Sequence, residues 1–172
     1  MVITYEYTKI CENIWQIEED NSVCCTLVIG SKMAVLIDTV YALKQEWDVI
    51  KHFEENEPKG YELKEIQIGQ NISLGSLNIE VVSLVGHTKG SVGFIVQEEK
   101  ILIAGDALNE RLWLFNYGSL TMSDLYEMIK ITMDLDFTTY LCGHSIRKYK
   151  KEKLMDKIKR GREAFLIMAK GM

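Results

Sequence analysis

Three polar residues in this chain each follow a glycine at the end of an apolar, strand-like run. His87 lies in LVGHTKGSVG (84–93), Asp106 in ILIAGDAL (101–108) and His144 in TTYLCGHS (138–145). Imidazole nitrogens and carboxylate oxygens are ligands for zinc, iron and manganese. Glycine lets the backbone turn sharply where a strand ends and lets other groups approach closely. We therefore expect three metal ligands, each presented by a loop at the exit of a buried strand.

A plainer interpretation stands beside this one. A single histidine at a strand end is more often a hydrogen-bonded loop residue than a ligand. The spacings of 19 and 38 residues are also too long for one local motif, so the three side chains would meet only in the folded chain. Three such positions in one short chain favour the metal site.

The surrounding pattern predicts the elements that would position these residues. Alternation predicts a β-hairpin over 13–30 with its turn at 19–21, and KMAVLIDT (32–39) reads as a buried strand. Two or three short strands are expected over 64–85, followed by strands at 92–96, 100–104 and 138–142. Apolar spacing predicts helices over 41–56, 120–135 and 151–170, the second capped by Thr121 or Ser123. Such a mixture suggests an α/β (α+β) αββα sandwich forming one domain over 1–172.

Four motifs, in order, resemble those of the metallo-β-lactamase superfamily of metallohydrolases. LIDT (36–39) looks like the first motif, GHTKGSVGF (86–94) the third, ILIAGDAL (101–108) the fourth and LCGHS (141–145) the fifth. The resemblance covers most of the chain. It implies that His87, Asp106 and His144 are metal ligands. It also implies that Asp38 and Thr88 hold those ligands in position without binding the metal themselves.

The defining second motif of that superfamily, HxHxDH, is missing from this sequence. It supplies four ligands, two histidines on one metal and an aspartate and a histidine on the other. His52 is the only histidine between LIDT and GHT, and it falls on the helix predicted over 41–56. The sequence therefore predicts a sandwich truncated by the loss of an internal strand–loop–helix unit.

A depleted ligand set changes the chemistry that the resemblance implies. Two metals would activate a bridging water for hydrolysis of esters, thioesters, lactams or phosphodiesters. The ligands left here suit at most one zinc, iron or manganese ion per chain, or none. Cys142, Asp38 and His52 are each alternatives as a replacement ligand.

The segment NERLWLFNYGSL (109–120) is rich in aromatic residues. Trp113, Phe115 and Tyr117 alternate, so they would share one face of an extended segment. In the superfamily this region often borders the substrate pocket, so the three residues are expected to line it. A hydrophobic flap that packs on the core or on a partner subunit is an equal alternative.

The charge and the composition of the chain argue against some classes of function. The net charge of −5 gives no electrostatic support to nucleic-acid binding. Two basic runs, 147–153 and 157–162, are interpreted as the solvated face of the last helix. No signal peptide or membrane-length apolar run is visible, which predicts a cytoplasmic protein whose four cysteines are free thiols.

Three hypotheses for function remain. The first is a degenerate superfamily member with hydrolase activity lost or weak and a binding or interaction role. The second is a working hydrolase with a single-metal site at His87, Asp106 and His144. The third is a deletion variant of an active hydrolase. In all three, the missing unit would expose apolar surface and a strand edge, which predicts a homodimer or larger homo-oligomer, with exchanged elements as one form. The small-molecule substrate is not deducible, because a fold does not fix a function.

Overall fold

The computed structural model describes residues 5–19, 23–38, 65–85, 87–109, 122–154 and 156. Within these ranges, ten strands form two sheets. Sheet A has the order β1-β2-β3-β4, and sheet B has the order β10-β9-β8-β7-β6-β5. The predicted two-sheet sandwich is therefore confirmed. The predicted helix over 41–56, with His52, lies outside the described residues, as does most of the last helix.

Sheet A is an antiparallel meander. Its strands are β1 (Tyr5–Lys9), β2 (Ile14–Glu19), β3 (Val23–Ile29) and β4 (Ala34–Ile37). The expected hairpin over 13–30 is confirmed, with Ile14 opposite Val28 and Glu19 opposite Val23. The four cysteines are free thiols in the structure.

The expectation of a buried strand over 32–39 is wrong. β4 forms the edge of sheet A within the described residues, and it is shorter than expected. Ala34 is exposed and the side chain of Leu36 is 56% exposed, whereas Ile37 is buried. A continuous apolar run suggested burial on both faces, but the strand has only one described neighbour and turns only one face to the core.

Sheet B contains the strands that precede the predicted site residues. They are β5 (Asn71–Ser73), β6 (Asn78–Ser83), β7 (Val92–Val96), β8 (Ile101–Ile103), β9 (Thr139–Cys142) and β10 (Ser145–Lys150). All pairs are antiparallel except β8 with β9, which is parallel, with Ile103 opposite Leu141. A parallel pair needs a crossover, and helix α1 (Met122–Asp134) lies in that connection.

One expectation about sheet B needs correction. Residues 145–150 form β10, whereas the basic run starting at Arg147 was interpreted as helical; helix begins only at 152. β10 is held to β9 by Tyr149, which lies opposite Tyr140 and stacks on it with ring centroids 5.3 Å apart. Of the two residues predicted to cap α1, Ser123 lies within the helix and Thr121 lies outside the described residues.

Sheet B separates two apolar layers, because successive side chains of a strand point to opposite faces. Ile101 and Ile103 face sheet A and pack with Ile14, Val28 and others between the sheets. Leu102, Tyr140 and Cys142 face the other way and pack with Met128 and Ile129 of α1 and with Leu154. Both faces of the central strands are therefore covered. In the described part of the chain no helix is long and apolar enough to cross a membrane.

Candidate functional site

The site forms beyond the carboxyl ends of β8 and β9. Because these strands are parallel neighbours, residues that follow them emerge at the same edge of sheet B. Asp106 lies in a 3-10 helix, Gly105–Leu108, directly after β8. His144 lies in the turn between β9 and β10. The topology thus turns a separation of 38 residues in sequence into a neighbouring pair.

Asp106 and His144 are in direct contact. The distance from His144 Nε2 to Asp106 Oδ1 is 3.2 Å, and the side chains are 38% and 43% exposed, respectively. The same Oδ1 accepts a hydrogen bond from Asn109 Nδ2 at 3.2 Å, and Asn109 is buried. A partly exposed contact of this kind contributes at most about 1 kcal/mol to stability. Its effect is to orient the imidazole and the carboxylate toward each other.

Two glycines permit this close approach. Gly143 N–H donates to the Gly105 carbonyl at 3.0 Å, so the two backbones touch. A Cβ on Gly143 would lie 2.5 Å from Asp106 Oδ1, and Gly105 has a φ of +50°, which favours glycine. The glycines that pointed to these positions in the sequence are therefore required by the site itself.

Asp38 reaches the same place from sheet A. It follows β4 with a φ of +70°, and its Oδ2 lies 3.4 Å from the position that a Cβ on Gly105 would occupy. Aspartate is one of the few residues other than glycine that adopts this backbone conformation readily. The structure thus gathers Asp38, Asp106 and His144 around the Gly105–Gly143 contact.

His87 and Thr88 lie in the loop between β6 and β7. The hydroxyls of Thr88 and Ser91 are 2.8 Å apart, and Ser91 Oγ accepts from the Thr88 amide at 3.1 Å. These contacts organise the loop itself. The described residues contain no cluster of three His, Cys, Asp or Glu side chains that could hold a metal ion. The structure brings together Asp106 and His144, and it does not add His87 to them as a third ligand.

The remaining predicted site residues are Cys142 and the aromatic residues of the segment 109–120. Cys142 is 3% exposed and packs in the layer between sheet B and α1. As an alternative ligand Cys142 would have to share a face with His144, but β9 ends at Cys142, so the strand alternation does not continue to His144. Trp113, Phe115 and Tyr117 lie outside the described residues, and their place in a substrate pocket remains a prediction.

Gln16, Glu18 and Cys24 form a polar strip on the inner face of sheet A, and this strip lies against the end of β9. Gln16 Nε2 donates to the Cys142 carbonyl at 3.2 Å, and the Cys24 amide donates to the Gly143 carbonyl at 2.7 Å. Burial raises the pKa of the Cys24 thiol from its ordinary 9.0 to about 12, with smaller contributions from Glu18 and Cys142. The thiol therefore stays protonated and is a poor nucleophile near neutral pH.

Sequence reasoning missed Asn109 and Gln16. Asn109 directly follows the 3-10 helix, three residues after Asp106, and residues i and i+3 lie close in such a turn, so its spacing was a usable signal. Gln16 carried a weaker signal, as a polar residue at a position of β2 whose neighbours Ile14 and Glu18 share its face.

Comparison with solved structures shows which architecture this is. A metallo-β-lactamase from Pontibacter korlensis superposes with a TM-score of 0.67 at 14% sequence identity, over 91% of this chain and 98% of that one. A metallo-β-lactamase family protein from Thermus thermophilus gives a TM-score of 0.63 at 13% identity, over 91% and 81%. The chain has the metallo-β-lactamase fold.

The sequence comparisons are more limited than this structural likeness. The hydroxyacylglutathione hydrolase GloC of Haemophilus influenzae is 43% identical over 42 residues, which are 24% of this chain and 20% of that protein. The match thus spans about a fifth of that relative. No protein-family model matches the chain. The metallo-β-lactamase fold is established here by architecture, and activity does not follow from it.

Among the described residues, the donors do not fit a tightly held metal centre. Asp38, Asp106 and His144 approach one place but form no group that could hold a metal ion, and Asp106 and His144 already contact each other. A catalytic zinc site normally has three protein ligands and an open position. The assignment of His87, Asp106 and His144 as ligands of one ion therefore remains a prediction.

Proposed function

We propose that this metallo-β-lactamase-fold protein has a depleted metal site, that its hydrolase activity is lost or weak, and that its role is binding. The observation that carries the proposal is the direct contact between Asp106 and His144, in a part of the chain where the described His, Cys, Asp and Glu side chains form no group of three that could hold a metal ion. The whole sequence contains three histidines, one of which is His52, so it has no HxHxDH motif.

Two-metal hydrolysis needs two ions a few ångströms apart that clamp the attacking and leaving oxygens. One imidazole and the carboxylates of Asp106 and Asp38 provide too few ligands for two ions. The residues that remain are suited to binding, because a carboxylate accepts hydrogen bonds and an imidazole can donate or accept one.

A working hydrolase with one metal ion is the second candidate. It is favoured by the exposure of Asp106 and His144, whose side chains are open enough for a cation and water to reach them. In that case zinc, iron or manganese would be held by His87, Asp106 and His144 after the loop of His87 moves toward the pair. The ion would lower the pKa of a bound water and polarise a carbonyl or phosphoryl oxygen.

Metal content separates the two candidates. The purified protein is equilibrated with zinc and dialysed, and zinc per chain is measured by elemental analysis beside His87→Ala and His144→Ala, with His52→Ala as the matched control. The proposal predicts far less than one ion per chain in the unmodified protein, and no hydrolysis of ester, thioester, lactam or phosphodiester substrates. One ion per chain, lost in His87→Ala and His144→Ala but kept in His52→Ala and accompanied by hydrolysis, would establish the single-metal hydrolase instead.

A further inference from the structure

Asp106 Oδ1 is the point at which two nitrogen groups meet. His144 Nε2 lies 3.2 Å from this oxygen, and Asn109 Nδ2 donates a hydrogen bond to it, also at 3.2 Å. An ionised carboxylate accepts hydrogen bonds and donates none, so both nitrogens must present hydrogens to it. His144 therefore carries a hydrogen on Nε2, and Asn109 turns the nitrogen of its amide, not the oxygen, toward the aspartate.

The two donors differ in their exposure to water. Asn109 is 3% exposed, whereas the side chain of His144 is 38% exposed. Water can replace His144 as the partner of Asp106, so this contact alone holds the carboxylate weakly. Water replaces a buried amide much less readily, and a buried amide that loses its acceptor keeps the full cost of its desolvation. Asn109 is therefore the donor that fixes the position of Asp106.

The turn that carries Asn109 is anchored in the core. Asn109 directly follows the 3-10 helix Gly105–Leu108, and its ψ of 158° ends that helix. Ala107 and Leu108 are buried in the layer between sheet B and α1. Ala107 N–H also donates to the Ala104 carbonyl at 3.1 Å. The amide of Asn109 is thus presented to Asp106 from backbone that packing already holds in place.

These two contacts use the acceptor capacity of Asp106 Oδ1. A carboxylate oxygen has about two lone pairs that can accept. On Oδ1 one of them faces His144 and the other faces Asn109. A cation that bound this oxygen would have to displace one of the two donors, and a displaced Asn109 amide would stay buried without its acceptor.

We propose that Asn109 is a positioning residue, which holds Asp106 Oδ1 against His144 and occupies a lone pair through which this oxygen would take a cation. The inference deepens the proposed function and rests on it, because binding is assigned to the pair that Asn109 orders. It also gives a second cause for the depleted metal site. Besides the missing ligands, a carboxylate that remains is engaged by a buried amide.

Two substitutions remove the donor in different ways. Asn109→Ala leaves a space, whereas Asn109→Val fills most of it with an apolar group. A change that both variants share reports the lost hydrogen bond, because their packing differs. Thr132→Val is the matched control, since Thr132 is fully buried on α1 and its Oγ1 donates to the Met128 carbonyl at 2.7 Å. Circular dichroism checks that all three variants fold.

The first measurement is the order of the Asp106 side chain in protein freed of metal with a chelator. Three-bond NMR couplings of the Asp106 methylene group should show one χ1 rotamer in the unmodified protein and in Thr132→Val. In both Asn109 variants the couplings should average, with the ratio of the native rotamer to the others lower by about three- to tenfold, which is the effect of losing one hydrogen bond. The ¹⁵N shifts of the His144 imidazole should change in the same two variants.

The second measurement is the zinc bound per chain after equilibrium dialysis at a series of zinc concentrations. Removing the Asn109 amide frees a lone pair of Asp106 Oδ1. Asn109→Ala and Asn109→Val should therefore reach a given zinc occupancy at a concentration about three- to tenfold lower than the unmodified protein and Thr132→Val. Neither alanine nor valine adds a ligand, so the gain would come from removal of the competing donor.

Several outcomes would overturn the inference. A single Asp106 rotamer in both Asn109 variants would reject the positioning role. A change in only one of them would assign the effect to packing. Averaged couplings without a gain in zinc uptake would reject the competition with a cation. Tight uptake of one zinc ion by the unmodified protein would contradict the proposed function instead, and the couplings, measured without metal, would still decide the role of Asn109.

Discussion

Sheet B and sheet A differ in how completely their faces and edges are covered by other parts of the described chain. Within the described residues, sheet B has six strands and apolar layers on both faces, and it carries Asp106 and His144 at the exits of two adjacent parallel strands. Sheet A has four strands in the same part of the chain and ends in β4, where Leu36 is 56% exposed. The difference teaches that the sheet that positions the polar pair is separate from the sheet whose described edge is exposed. Four measurements on variants test this difference between the two sheets.

The largest effect is expected in the middle of sheet B. Leu102→Ala removes a fully buried side chain of β8 that packs against the α1 layer, and such truncations cost about 2–5 kcal/mol. Leu36→Ala on β4 removes the same atoms from an exposed position and is expected to cost under about 0.5 kcal/mol. Urea denaturation of the two variants measures this contrast. Similar losses of unfolding free energy would show that β4 is buried after all.

The junction between the two sheets is the next most sensitive place. A Cβ on Gly30 would lie 2.2 Å from the Leu74 carbonyl oxygen and 2.4 Å from Leu74 Cβ. Gly30→Ala therefore forces β3 and the β5–β6 turn apart and should cost about 1–3 kcal/mol. Gly90→Ala is the control, because its Cβ would meet nothing within 4 Å. If both variants show the same thermal midpoint, the sheets are not in close contact at Gly30.

A smaller effect concerns the polar strip between the sheets, and it depends on pH. The pKa of the Cys24 thiol is raised from 9.0 to about 12. Between these values the unfolded chain loses this proton while the folded chain keeps it, so stability falls as pH rises. The contribution is fully present below pH 9 and decreases by about 1.4 kcal/mol per pH unit within the window.

Cys24→Ala tests this pH dependence through the slope of the unfolding free energy against pH. Truncating the side chain changes the unfolding free energy by the same amount at every pH, so it leaves this slope unaffected. The unfolding free energy of the variant should fall less steeply than that of the unmodified protein between pH 9 and 10.5. Parallel slopes would mean that the thiol is as accessible to water in the folded protein as in the unfolded chain.

The smallest effect on stability is expected at the polar pair itself. In Gly143→Ala the new methyl group would displace Asp106 Oδ1 and break its contact with His144, at a cost of about 1 kcal/mol or less because both side chains are partly exposed. The ¹⁵N chemical shifts of the His144 imidazole should change, whereas Gly90→Ala should leave them unchanged. Unaltered shifts in Gly143→Ala would show that the contact tolerates the methyl group.

Much of the fold could be predicted from the sequence because local pattern and tertiary environment agree. The alternation in β2 and β3 and the apolar runs of β7, β8 and β9 match their burial. β10 was missed because its lysines and arginine resemble a helix surface, and its strand conformation depends on the stacking of Tyr149 on Tyr140. The exposure of β4 could not be predicted, because a strand's neighbours are not encoded in its own residues.

The site was predictable in its residue types and not in its geometry. Glycine followed by aspartate or histidine at a strand end correctly marked Asp106 and His144. Their direct contact depends on the parallel pairing of β8 with β9, which is a property of the whole sheet. The loop of His87 is organised by Thr88 and Ser91, and its distance from the pair could not be read from the spacing.

The parallel pairing of β8 with β9 also bears on the order in which the molecule folds. The two strands and α1 form one continuous stretch of chain, 101–142, and His144 follows it by two residues, so bringing Asp106 beside His144 closes a loop over this stretch. The entropy cost of loop closure grows slowly with length, and contacts within one unit form before those that join distant units. The polar pair is therefore expected to assemble early, with the β8–α1–β9 unit, whereas Asp38 joins it only when the sheets dock.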